Sequence, residues 1–259
     1  MTKTTSKTNP VLRWNRGNVK LPDRIIHFSL PSGHSCPAAL KCLAKAHALT
    51  GKITDGKQQD YRCYAAMQEA RHSNIRNQRW HNFQTLRRLG RKKIFTLLKA
   101  SLQPLHDKYL LNHQQRPIVR AHVGGDFFKD DYFLAWMDLA RSLHPTQFYA
   151  YTKRLDLWVL YKDEIPDNFE LNASKGGKFD DLIELHNLKT AEVVFSLAAA
   201  KKKGLELDHD DSHAYKPGKS FGHLIHGSQP AGSKASKALT TLKHEIGWTG
   251  YSAHTKSIS

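Results

Sequence analysis

The 259-residue chain is short of several things at once. It has three cysteines, Cys36, Cys42 and Cys63, and no C-x-x-C pair among them. An odd, small number of cysteines excludes the disulfide framework of a small secreted domain. No apolar run approaches the roughly 20 residues that a membrane-spanning helix needs. The first ten residues are polar, rich in Thr and Lys, and lack the apolar centre of a secretory signal. These absences give the expectation of a cytoplasmic protein with no membrane partner. Nucleotide fingerprints are missing too: neither G-x-G-x-x-G nor a complete G-x-x-x-x-G-K-[ST] occurs. There is no internal repeat. Acid is scarce, with 23 Asp and Glu against 40 Lys and Arg, a net charge of +17. That balance favours a polyanionic partner through counterion release, although a basic enzyme without any nucleic-acid role would look the same.

What is present is ordered. Residues 1–20 read as a flexible basic arm, residues 21–250 as one α/β domain and residues 251–259 as a tail. Strand character begins at Arg24–Leu30 and stops at Pro31-Ser32-Gly33. Ser35 as N-cap and Pro37 near the first helical position predict a short helix over 37–49. A loop around Gly51 and Gly56 leads to a long polar helix over 62–89, closed by Gly90, and another over 92–113. The pattern then alternates. Strands are predicted at 117–123, 147–152, 168–173, 191–196 and 221–226, each followed by helix. Six strand–helix units predict parallel strands with right-handed crossovers, in an open or partial barrel or in a doubly wound sheet.

In such folds the functional groups gather at the C-terminal ends of the strands. Here those ends are polar. The first strand runs into the cysteine loop and the second into His122, Gly124, Gly125 and Asp126. The third carries Tyr149, Tyr151, Thr152 and Lys153; the fourth carries Asn172, Ser174 and Lys175. The fifth leads, after its helix, to Asp208-His209-Asp210-Asp211-Ser212-His213, and the sixth to His226-Gly227-Ser228.

Three thiols in one short window point to metal ligation, against the bland reading of a cysteine as a small core residue. A structural zinc would need a fourth ligand, such as His34 or His47. Three thiolates could instead hold a 4Fe–4S cluster with one iron left open. Gly124-Gly125-Asp126 would let a ligand approach the backbone and give its ammonium group a carboxylate, or it is an ordinary strand-to-helix turn. The Asp208–His213 cluster could bind a divalent ion or move protons, or be a solvated loop. Arg62, Arg71, Arg76, Arg79, Arg87, Arg88, Arg91, Lys92 and Lys93 make a basic run, in which His72, Arg76 and Arg79 share a helical face beside Trp80 and could track a phosphate backbone.

The phrases FSLPSGHSCP, RCYAA, EARHSNIRNQRWHNF, RAHVGGDFF, FYAYTK, DHDDSHA and LIHGSQPAGSKASKAL, spread from Phe28 to Leu239, are similar to the phage family called gene product 88. That resemblance implies a phage origin and assigns no chemistry. The order of parts also resembles the radical S-adenosylmethionine superfamily: strand, three-cysteine loop, helix, then a strand ending in Gly-Gly-acid. The second resemblance implies a partial (βα)6 TIM-like barrel with parallel strands and an extended helical insertion after the first strand. It implies Cys36, Cys42 and Cys63 as cluster ligands, and Gly124, Gly125 and Asp126 as the site for the amino group of S-adenosylmethionine. Tyr151, Lys153, Asn172, Ser174, His209, Asp211, His213 and His226 would then line the mouth over a nucleotide or nucleic-acid substrate. This chain departs from the superfamily's C-x-x-x-C-x-x-C spacing and has Asp where Glu is commoner. The alternative from another class is a basic nucleic-acid-binding protein with a structural zinc.

Overall fold

The computed structural model describes residues 12–251. The chain opens with β1 (Asn15–Arg16) and β2 (Ile25–His27), then makes a long excursion through the hairpin β3 (Ala44–Ala46) and β4 (Ile53–Asp55) and helices α1 (Tyr64–Arg71), α2 (Ser73–Leu86) and α3 (Arg91–His113). Alternation follows: β5 (Ile118–Arg120), α4 (Asp130–Ser142), β6 (Phe148–Thr152), α5 (Leu155–Leu160), β7 (Phe169–Ser174), α6 (Asp181–Leu185), β8 (Thr190–Val194) and α7 (Leu197–Lys202). The last elements are β9 (Glu206–Leu207), α8 (Ser212–Tyr215), β10 (Phe221–Leu224) and α9 (Lys234–Ile246).

Eight strands form one sheet in the order β1-β2-β5-β6-β7-β8-β10-β9. Only β1, on β2, is antiparallel; the other pairs are parallel. The six predicted strands are therefore neighbours in chain order. This sheet has two further short strands that the sequence pattern does not predict, β1 and β9, and each occupies an edge. The two edges do not pair, so the sheet is open.

The sheet is strongly coiled. Strands stand about 4.8 Å apart, so β6 and β10, three places removed, would lie roughly 14 Å apart in a flat sheet. Instead Tyr151 on β6 meets Phe221 and His223 on β10, with ring centroids 6.1 and 5.6 Å apart. The outer face is apolar: Ile26, Phe28, Val119, Ala121, Phe148, Ala150, Phe169 and Leu171 pack in one core. The stripe of α4 that carries Tyr132, Phe133, Trp136 and Leu139, together with Ile94, Leu98 and Leu102 of α3, covers that face. Burying each large side chain contributes roughly 1.5–3 kcal/mol. On the inner face, the first residues along the strands (Ile25, Ile118, Tyr149, Ala191 and Phe221) form a small apolar plug with Ala214 and Tyr215 of α8. Two residues further on, the inner positions of β5, β6 and β10 become Arg120, Tyr151 and His223.

Three expectations need correction. The helix over 37–49 is absent. Its backbone is used elsewhere: the N–H groups of Leu40 and Lys41 donate to the Gly176 carbonyl, and Ala44–Ala46 pairs with Ile53–Asp55. Tertiary partners override a helix-favouring composition. The single helix over 62–89 is two, parted at His72, whose φ of −123° and ψ of 102° are extended. Of the arm expected over residues 1–20, residues 1–11 lie outside the described residues, and the rest is packed. Leu12 is buried, Trp14 meets Phe28 at 4.8 Å, and Asn82 exchanges hydrogen bonds with both backbone groups of Arg13. The tail expected from 251 lies outside the described residues apart from Tyr251, which folds back over the sheet end.

Candidate cofactor and substrate cavity

A cavity of about 480 Å³ opens at the C-terminal ends of the parallel strands. One end holds Cys36, Cys42, Cys63, Gly124, Gly125, Asp126, Lys153 and Ser174; the other holds Lys20, Arg120, Tyr151, Asp211, His223, His226 and Tyr251, with Tyr64 beside them. A shallower groove between α3 and α4 is lined by Arg91, Asp138 and Arg141, whose charges satisfy one another.

The cysteine end is built by close packing. Cys36 sits in the turn after β2, where its sulfur accepts from the Gly33 N–H at 3.3 Å. Cys63 caps the start of α1. Burial pushes the Cys36 thiol well up, and the charges that Asp126, Cys63 and Cys42 would carry push the same way. Burial, then Cys42, raises Cys63 to about 11, while the N–H groups of Ala66 and Ala65 pull it down. All three cysteines line the same cavity. Among the described residues, no three His, Cys, Asp or Glu side chains form a ready-made group for a metal ion. His34 and His47, the suggested fourth ligands, are spent elsewhere: His34 Nε2 bonds the Ala46 carbonyl and His47 Nδ1 bonds Thr50.

Gly125 has a φ of +91°, and a Cβ there would stand 2.6 Å from both Leu30 and Ser35. The glycine is what lets the end of β5 pass against the cysteine loop. Asp126 is buried and nearly saturated. Its Oδ1 accepts from the Phe127 N–H and the Thr152 hydroxyl, each at 2.7 Å, and its Oδ2 from the Lys153 N–H at 2.9 Å. Burial raises its pKa, and the Thr152 hydroxyl opposes the rise. Lys153 Nζ donates to the Ser174 hydroxyl and to the carbonyls of Ser174 and Lys175, which ties β6 to β7.

The other end is organised by Asp211, whose φ of +66° is left-handed, an uncommon conformation for a non-glycine residue. Its carboxylate accepts from Lys20 at 2.6 Å, Arg120 at 2.5 Å and the Tyr149 hydroxyl at 2.8 Å. Burial works against this charge, but Arg120 and Lys20 outweigh it and hold the Asp211 carboxyl far below the usual range. Burial likewise works to lower Lys20, and Asp211 outweighs it, so the ammonium stays charged. Asp208 fixes the turn by accepting from the backbone N–H groups of Asp211 and His213.

Of the eight residues expected at the mouth, Tyr151, Lys153, Ser174, Asp211 and His226 line this cavity, and Asn172, His209 and His213 do not. Asn172 is buried below the cavity, donating to the carbonyls of Ala150 and Ala214. His213 turns away to Asp208 and Glu206. His209 packs near Trp248 and Tyr251. The expected phosphate-tracking face is also corrected. Arg76 is buried and donates to the carbonyls of Ala48, Leu49 and Glu69, and Arg79 is buried on Glu69 at 2.7 Å. Arg87, Arg88, Lys92 and Lys93 remain exposed, with no acidic partner among the described residues. Sequence reading missed Lys20, Arg120, His223 and Tyr251. Arg120 did leave a signal, because an arginine inside an apolar strand needs a buried partner.

Comparison with known proteins now has a geometry to rest on. The model of the gene product 88 family matches residues 2–243. The chain belongs to that family. It is 29% identical over 157 residues to the gene 88 protein of Mycobacterium phage L5, covering 56% of this chain and 59% of that protein. It is 28% identical over 164 residues to the gene 88 protein of Mycobacterium phage D29, covering 58% and 61%. The chain thus spans about three-fifths of the length of these curated relatives. No solved structure matches. The family is a bacteriophage one, and its name assigns no reaction. No helix among the described residues is long and apolar enough to cross a membrane.

Proposed function

We propose that this gene product 88 protein is an iron–sulfur enzyme of the radical S-adenosylmethionine type, acting on a nucleotide or nucleic acid in the host cytoplasm. The observation that carries the reading is a convergence. Three cysteines from the loop after the first parallel strand and Gly-Gly-Asp from the end of the next line one cavity. That cavity opens over six parallel strands lying in chain order. The coiled, open sheet is read as the partial (βα)6 barrel that such chemistry uses.

The donor set fits the group by its chemistry. A cubane takes one thiolate per iron, so its ligands stand farther apart than those of a single ion, and three thiolates leave one iron open. When bound, the cluster supplies the electron that splits S-adenosylmethionine. The remaining work belongs to the chain. Cys36, Cys42 and Cys63, each half-buried at the cavity wall, would hold the irons. The backbone edge at Gly124-Gly125 would receive the amino group of S-adenosylmethionine. Asp126 contributes its charge to that group while its hydrogen bonds keep β5 and β6 in register. Lys153, held by Ser174 and Lys175 and without an ion pair among the described residues, would supply positive charge beside the same wall. The Asp211 end faces the substrate.

The test is anaerobic reconstitution with iron and sulfide, then reduction with S-adenosylmethionine present. The reading expects methionine and 5′-deoxyadenosine as products, abolished by Cys36→Ser, Cys42→Ser or Cys63→Ser. A reconstituted cluster that never cleaves S-adenosylmethionine contradicts the assignment. Zinc uptake without iron would favour a structural metal in a nucleic-acid-binding protein.

A further inference from the structure

The far end of the cavity has a character of its own. Tyr64, His226, Tyr251, His223 and Tyr151 form a continuous chain of rings. Successive centroids are 5.0, 4.8, 6.2 and 5.6 Å apart. Two cations stand behind this chain. Lys20 Nζ lies 4.5 Å from the Tyr251 ring centroid, and the Arg120 guanidinium 4.7 Å from that of Tyr151. Both are also bonded to Asp211, and Lys20 lies 3.1 Å from Asp208.

Each ligand class meets this wall differently. A cationic ligand meets Lys20 and Arg120 already seated at the Tyr251 and Tyr151 rings. A phosphate finds those two cations neutralised by Asp211 and Asp208. A neutral planar ligand finds rings to stack on, as bases do in single-strand binders.

Hydrogen-bonding groups are ready for such a ligand. His226 Nδ1 lies 2.9 Å from the Leu224 carbonyl, which only accepts, so the proton sits on Nδ1. Nε2 is left as a lone-pair acceptor, and among the described residues it has no partner. Burial holds the ring neutral, with its pKa lowered to about 4. The Tyr151 hydroxyl is buried at the same wall, also without a partner among the described residues. Buried polar groups seldom stay unpaired.

We propose that this ring-lined end binds the flat face of a nucleobase, with His226 Nε2 accepting from a ring N–H or amino group. The proposal rests on reading this cavity as the substrate chamber, and it deepens that reading. The element recognised is the base and not the phosphate. The base arrives either as a free nucleoside or nucleotide, or on a single strand.

The experiment is equilibrium binding to the full chain. The probes are the common nucleosides, ribose 5-phosphate, a short single-stranded oligonucleotide and its abasic counterpart. Nucleoside binding that ribose 5-phosphate does not displace supports the proposal with a free source. Oligonucleotide binding that is lost in the abasic strand supports it with a strand as source. His226→Phe keeps the ring and removes the acceptor, and should weaken base binding about tenfold. Tyr151→Phe removes a hydroxyl with no protein partner, so it should leave thermal stability intact and also weaken binding. The proposal is overturned if the abasic strand binds as well as the intact one, if no base-containing probe binds, or if neither variant changes affinity. Running the same titrations on Cys63→Ser separates the two claims. Base binding that survives without iron upholds this site even if the cluster fails. A loaded cluster with no base binding removes this site alone.

Discussion

The two faces of the sheet obey different rules. On the outer face the segments of β2, β5, β6 and β7 contribute apolar side chains, and Phe148, Phe28 and Trp136 are fully buried. On the inner face the apolar plug gives way within two residues to Arg120, Tyr151 and His223, with Asp211 brought in by the turn before α8. The inner face carries the Lys20–Asp211 and Arg120–Asp211 charge pairs and a left-handed Asp. Strain and unsatisfied polarity persist where the surroundings over-determine them, which is typical of sites rather than of cores.

The contrast can be broken most directly at Asp211. Asp211→Ala leaves Arg120 buried without a carboxylate and Lys20 with Asp208 alone, and should cost about 3–5 kcal/mol in denaturant unfolding. Replacing the trio together, Lys20→Met with Arg120→Met and Asp211→Leu, should recover much of that stability while abolishing ligand binding. A triple variant as unstable as the single one would mean that the charges act through packing alone. On the outer face, Phe148→Ala opens a cavity in a filled core and should cost about 3–5 kcal/mol, with ligand binding unchanged per folded molecule.

Acid sharpens the comparison. Burial lowers His27 and His226 to about 4 and His122 to about 3, from an ordinary 6.5. The unfolded chain takes up these protons first, so their contribution is full above about pH 6.5 and is lost as pH falls toward 4. Unfolding free energy should drop by a few kcal/mol across that window, and less in His122→Phe. A flat profile would show that these rings are hydrated. Gly125→Ala meets both a strained φ and the contacts with Leu30 and Ser35. It should cost about 2 kcal/mol and displace the cysteine loop. The smallest effect is on the surface. Changing Arg87, Arg88, Lys92 and Lys93 to Gln should move stability by less than about 0.5 kcal/mol. It should still weaken binding to a polyanion and flatten its salt dependence.

Much of the fold was legible. Six apolar strand segments alternating with helix announced a parallel sheet, and chain order did the rest. The closing helix was marked by Ser233, whose hydroxyl accepts from the Ser236 N–H. The segment 37–49 misled because its Ala, Leu and Lys residues favour helix locally, while Gly176 and β4 compete for its backbone. The site was half legible. Cysteine scarcity and the polar strand ends gave one wall of the cavity. Lys20 and Tyr251 were hidden because each lies in a stretch that reads as a solvated terminus. Arg76 and Arg79 were misassigned because periodicity locates a helical face without saying whether solvent or protein lies opposite.

The central claim is that the three thiols serve one cluster. Its most direct test is iron, sulfide and zinc analysis of anaerobically purified protein beside Cys63→Ser. The account predicts about four irons and four sulfides per chain in the parent, lost in the variant. One zinc per chain with no iron, or iron retained in full by Cys63→Ser, would contradict it.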